Sequence, residues 1–166
     1  MFQNFRHIGY YKISNGKIAD GDNEFLDEGI ASYAMYAFEP NANQKKQLSL
    51  NIAKADLKNG YASLDYLRNW QKNVNDRLWV FSQNWRKKYP NKYPSLEDEL
   101  KVGVNSYYTS CVFIEYLIEV YGLPKFVSAI RNIGNGDNQS IAFQKAMGKA
   151  IENIFVDWHA FLNQSN

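Results

Sequence analysis

Apolar residues recur at three- and four-residue spacing in segment after segment of this 166-residue chain. No segment alternates with period two between hairpin turns. That pattern predicts an all-α protein. Asp20-Gly21-Asp22-Asn23 reads as a turn, and a helix from Glu24 to Phe38 follows it, with Phe25, Ile30, Tyr33, Ala34 and Ala37 on one face. It ends before Pro40, because the residue preceding proline is pushed out of the helical region. Gln44 to Lys58 reads as a second helix, stopped by Asn59-Gly60. A third spans Ser63 to Lys88, capped by Ser63 and carrying Leu64, Leu67, Trp70, Val74, Leu78 and Phe81 inward. After the loop Tyr89 to Pro94, Ser95-Leu96-Glu97-Asp98 has the form of a capping box with Asp in place of Glu or Gln. Ser106 to Tyr121, Leu123 to Ile133, Ser140 to Met147 and Ile151 to Leu162 complete the set, with Val112, Phe113, Tyr116, Leu117 and Val120, then Ile151, Ile154, Phe155, Trp158 and Phe161, as inward stripes. Between Phe5 and Ile18 the signal is weakest, and Tyr10-Tyr11-Lys12-Ile13 also reads as a strand.

The length suits one domain over residues 1–166, given about 100–200 residues per domain. A chain 45% hydrophobic and 22% charged buries a core rather than staying disordered. Its net charge of +2 gives no electrostatic footprint for nucleic acid or an anionic membrane. No run approaches the ~20 apolar residues of a membrane span. The first residues, Met1 to His7, lack the basic leader and apolar run of a signal peptide, and the abrupt start in a half-apolar aromatic segment reads as a piece of a longer protein. One cysteine, Cys111, excludes an internal disulfide, and two histidines, His7 and His159, limit a metal site to two imidazoles. The aromatic content, with Tyr 12, Phe 10 and Trp 4, calls for either a large aromatic core or a lined binding surface.

The segment Phe25-Leu26-Asp27-Glu28-Gly29-Ile30-Ala31-Ser32-Tyr33 places a carboxylate near the start of a helix, with a glycine next to it that permits close backbone approach. A lone glutamate there is also an ordinary solvated residue favoured by the helix dipole. The composite, apolar-Asp-Glu-Gly-apolar-Ala-x-Tyr, resembles the third-ligand segment of the zinc metallopeptidases called gluzincins, and most closely their peptidase MA-like domains. Tyr107-Tyr108-x-x-Cys111-Val112-Phe113-x-x-Tyr116-Leu117-x-x-x-Tyr121-Gly122 is similar to that family's tyrosine-rich helix, and Ala142-Phe143-x-x-Ala146-x-Gly148 with Trp158-x-x-Phe161-Leu162 to its closing helices. The likeness runs from about Phe25 to the C-terminus.

The resemblance implies a helical domain, zinc as cofactor, a peptide or protein as substrate or ligand, and a place outside the cell or in its envelope. It implies Glu28 as third metal ligand beside the two histidines of a His-Glu-x-x-His helix. In such a site the open fourth position holds a water whose pKa falls to about 7. A glutamate takes the water's proton, and a tyrosine or histidine steadies the oxyanion. Here the motif is missing. His7 stands 21 residues before Glu28, the separation of the family's second histidine, so Gln3 and Asn4 occupy the places of the first ligand and the general base. Ser32 stands where the family often carries an orienting carboxylate. Three readings follow: a pseudo-peptidase retaining Glu28 and His7; the C-terminal portion of an active enzyme whose His-Glu-x-x-His lies before Met1; or a non-catalytic helical module that binds a peptide or glycan.

Tyr107 and Tyr108 are the candidate oxyanion donors, with core packing as the alternative. His159 reads as a half-buried structural residue and Cys111 as a small hydrophobe. Ser110 lacks a nucleophile elbow, and Gly134-Asn135-Gly136-Asp137 reads as a helix–helix turn without the strand context of a phosphate loop. Lys45-Lys46 and Arg86-Lys87-Lys88 read as solvated faces.

Overall fold

The computed structural model describes residues 8–17, 19, 21–36 and 40–165. Among them are nine α-helices and no strand. In chain order these are α1 (Ile8–Ile13), α2 (Glu24–Tyr36), α3 (Ala42–Lys58), α4 (Leu64–Arg68), α5 (Trp70–Lys88), α6 (Leu96–Tyr121), α7 (Leu123–Gly134), α8 (Gln139–Met147) and α9 (Ile151–Gln164), with a short 3-10 turn, Gly21–Asn23, leading into α2. Asp20, Ala37 and Phe38 lie outside the described residues, as does the Trp70 side chain.

The long helix α6 is the axis on which the rest is arranged. Both α2 and α3 lie along it. Phe25 meets Phe113, and about three turns further along α2 Tyr36 meets Tyr108, so α2 runs antiparallel to α6. Lys46 reaches Glu115 and Glu119 while Asp56 reaches Thr109, so α3 is antiparallel too. The aromatic excess is largely accounted for here. Phe25, Phe113, Phe155 and Trp158, from α2, α6 and α9, form one ring cluster with centroids 4.3–6.3 Å apart. Each is at most 3% exposed. Side chains of this size contribute about 1.5–3 kcal/mol each on burial, and each ring pair a further 0.5–1.5 kcal/mol or so.

Four expectations change. Tyr10 to Ile13 is helical, not extended. Tyr10 and Ser14 are buried and Ile13 half-buried, an i, i+3, i+4 pattern that overrides the strand propensity of tyrosine and isoleucine. The expected helix from Ser63 to Lys88 is two helices parted at Asn69, although Ser63 does cap α4 by accepting from the Tyr66 amide at 3.1 Å. Asn69 donates its side-chain amide to the Asp65 carbonyl at 2.9 Å, and Asn73 donates to the Tyr66 carbonyl at 2.7 Å. The Asn73 amide satisfies a carbonyl that a continuous helix would have used, whereas the Asp65 carbonyl also keeps the Asn69 backbone N–H at 3.3 Å. Conversely, Leu96 to Tyr121 is one helix, running unbroken through Gly103. Finally, Ala34, Val120 and Phe161 are exposed rather than inward, at the margins of their stripes.

Two polar clusters tie the helices together. Arg77 of α5 donates to both carboxylate oxygens of Asp56 (3.3 and 3.0 Å) and to Ser106 Oγ (2.9 Å), and Thr109 donates to Asp56 Oδ2 at 2.7 Å. The Arg77 guanidinium also sits 4.5 Å from the Tyr61 ring centre. Arg68 bridges Gln139 and Glu152 at 2.9 Å each, and Gln139 in turn donates to the Asp22 carbonyl at 2.6 Å.

Candidate functional site

Glu28 and Gly29 lie where α2 crosses α6. A Cβ at Gly29 would stand 2.7 Å from Ile114 Cγ1 and 2.9 Å from the Ser110 carbonyl oxygen, so the glycine is what lets the two helices approach. Glu28, the adjacent residue, is half-buried, and Asp27 is buried. The close backbone approach expected from the Glu-Gly pair is therefore present, and its partner is α6.

Tyr107 and Tyr108 lie on the same helix, three and two residues before Ser110. Tyr107 is half-buried and packs against the core. Tyr108 stacks on Tyr36, with centroids 6.2 Å apart and planes 21° apart. Ser49 Oγ, from α3, is hydrogen-bonded to the Tyr36 hydroxyl at 3.1 Å and to the Lys45 carbonyl at 2.8 Å. Burial is the main reason the Tyr36 hydroxyl is held above the usual phenol range. It stays protonated at neutral pH and acts as a neutral hydrogen-bonding group, not a base. Cys111, one turn from Tyr107, is buried, and desolvation, with Glu115 adding to it, pushes its thiol up to about 12. A thiol so placed is inert as a nucleophile. Ser110 Oγ is likewise buried and has no hydrogen-bond partner among the described residues, which fits a packing role.

The structure thus sets Gly29, next to Glu28, against the tyrosine helix, and of the tyrosines near the motif, Tyr33, Tyr36, Tyr107 and Tyr108, it stacks Tyr36 on Tyr108. His7, Gln3 and Asn4 lie outside the described residues. Among the described residues no three of His, Cys, Asp and Glu converge as metal ligands. Those residues alone do not compose a three-ligand zinc site. His159 is half-buried with Nε2 2.8 Å from the Ala62 carbonyl oxygen, a structural contact joining α9 to the turn before α4.

The buried Asp56–Arg77 pair is missing from the sequence-based candidates. Ser49, Ala53 and Asp56 are buried on one stripe of α3, and a carboxylate in line with that stripe was the available signal. Comparison with protein-family models, curated proteins and solved structures returns no match.

Proposed function

We propose that this chain is a metallopeptidase-like helical domain that has lost catalysis and holds a peptide or protein ligand beside Glu28 and the tyrosines Tyr36 and Tyr108. The observation that carries the reading is the crossing at Gly29. The segment resembling the family's third-ligand helix lies directly on the helix resembling its tyrosine-rich one, with the motif glycine at the contact. Gln3 and Asn4, in place of an imidazole and a carboxylate, favour the inactive form. An amide side chain is a poor zinc ligand and cannot take a proton from water. The half-buried Glu28 carboxylate then serves as an acceptor for a ligand's amide or ammonium, and the tyrosine pair as an amphipathic wall.

Zinc content, hydrolysis of a fluorogenic peptide library, and retention of that library on the immobilised chain test this together. The expected result is no stoichiometric zinc, no cleavage, and peptide retention lost in Glu28→Gln and weakened in Tyr108→Ala. Stoichiometric zinc with cleavage, both lost in Glu28→Gln, would establish an active enzyme instead. Neither retention nor cleavage would reject the peptide-handling reading altogether.

A further inference from the structure

We propose that the C-terminal half of α5, with the turn that follows it, docks on an anionic lipid bilayer. None of the side chains described between residues 71 and 95 is fully buried, which is unusual for a helix of 19 residues. At 100° per residue, Trp79, Val80, Gln83, Arg86 and Lys87 fall on one outward arc. Trp79 is 64% exposed, Val80 55%, and Tyr93 in the following turn 84%. Aromatic and aliphatic groups are thus presented to solvent beside cations.

The charges along this half of α5 and its turn are of one sign. Arg86, Lys87, Lys88 and Lys92 are all exposed, and none is in an ion pair among the described residues. Elsewhere Lys46 pairs with Glu115 and Glu119, Lys145 with Asp137 and Lys149 with Asp157, while Lys12, Lys17, Lys58, Lys72 and Lys125 are scattered singly and are also outside any ion pair among the described residues. The sequence has no Asp or Glu between Arg77 and Leu96; the next carboxylates are Glu97, Asp98 and Glu99 at the start of α6. A net charge of +2 averages this asymmetry away. The turn is a built corner. Trp85 Nε1 donates to the Lys92 carbonyl at 2.9 Å, its ring lies 4.9 Å from that of Tyr89, and the Lys92 amide donates to the Tyr89 carbonyl at 3.1 Å.

Cations without an ion pair among the described residues call for an anionic partner, and the apolar side chains beside them select which. Single-stranded nucleic acid is held through its phosphates and by base stacking on aromatic rings, which leaves an exposed aliphatic side chain such as Val80 without a role. A bilayer interface takes both kinds of group, with Trp79, Val80 and Tyr93 entering the headgroup layer and the cations facing anionic lipids.

Sedimentation of the whole chain with phosphatidylglycerol-containing vesicles, compared with pure phosphatidylcholine vesicles, tests the assignment. Binding is expected to be at least tenfold tighter on the anionic vesicles, and to fall by about tenfold in Arg86→Glu/Lys87→Glu. Trp79→Ser is expected to weaken it without a change in charge. All these side chains are exposed, so an unchanged far-ultraviolet circular dichroism spectrum is expected of each variant. Equal binding to both vesicle types, no binding to either, or capture of a labelled oligothymidylate in preference to vesicles would overturn the proposal.

Discussion

A methyl group added at Gly29 would meet one atom that can move, Ile114 Cγ1, and one that cannot move alone, the Ser110 carbonyl oxygen. At Gly134, where α7 touches the end of α1, all three nearest atoms are Ser14 backbone, the closest at 2.0 Å. The two glycines therefore rank in a definite order. Alanine gains up to about 1 kcal/mol in helix propensity at either position, whereas overpacking costs about 1–3 kcal/mol and occasionally more. Gly29→Ala is expected to lower stability by about 1 kcal/mol and Gly134→Ala by about 3 kcal/mol, read from urea unfolding midpoints. A neutral Gly29→Ala would remove the packing reason for the Glu-Gly pair and leave the resemblance to a third-ligand segment as sequence alone.

Three helices are fastened at the Asp56–Arg77 pair: α3 supplies the carboxylate, α5 the guanidinium, and α6 the two hydroxyls of Ser106 and Thr109. The Asp56 and Arg77 side chains are only 4% and 10% exposed. Removing one member leaves the other's charge buried and uncompensated, which costs about 3–5 kcal/mol, whereas exchanging both for apolar groups of similar volume is often nearly neutral. Asp56→Ala is thus expected to lower stability by about 3–5 kcal/mol, and the double variant Asp56→Leu/Arg77→Met to recover most of it, measured as a double-mutant cycle in urea. Additive losses would show that the pair is not coupled. The same scale separates what sequence pattern can and cannot resolve. The start of α2 and the ends of α3, α7, α8 and α9 were legible to within a few residues, because glycine and cap residues act locally. The break at Asn69 was not, because it is fixed by the Asn73 side chain taking the Tyr66 carbonyl, a contact between residues seven apart that no local cap signal announces.

Across the whole molecule, buried protonated groups set how stability responds to alkali. Desolvation is the main cause holding Cys111, Tyr66 and Tyr116 at about 12 in the folded chain, against ordinary values of 9.0 for the thiol and 10.0 for the phenols. Below pH 9 both states keep these protons and the groups add no slope. Between about 9 and 12 the unfolded chain loses them first, so stability is expected to fall as pH rises through that window. Thermal melts at increasing pH check this, and Cys111→Ala is expected to flatten the fall; an unchanged melting temperature up to pH of about 11 would contradict the desolvation of all three groups. By itself, the sequence determined the helical class and most helix ends, the inward stripe of α9 apart from Phe161, and the need for close approach at Gly29, because periodicity, capping and the absent Cβ are properties of a few neighbouring residues. Tertiary structure alone decided that Tyr10 to Ile13 would coil against α7, that Tyr36 would stack on Tyr108, that Asp56 would find Arg77, and that Arg86, Lys87, Lys88 and Lys92 would stand outside any ion pair among the described residues. Each of those outcomes depends on which distant side chain arrives opposite, and burial and charge compensation are settled only when it does.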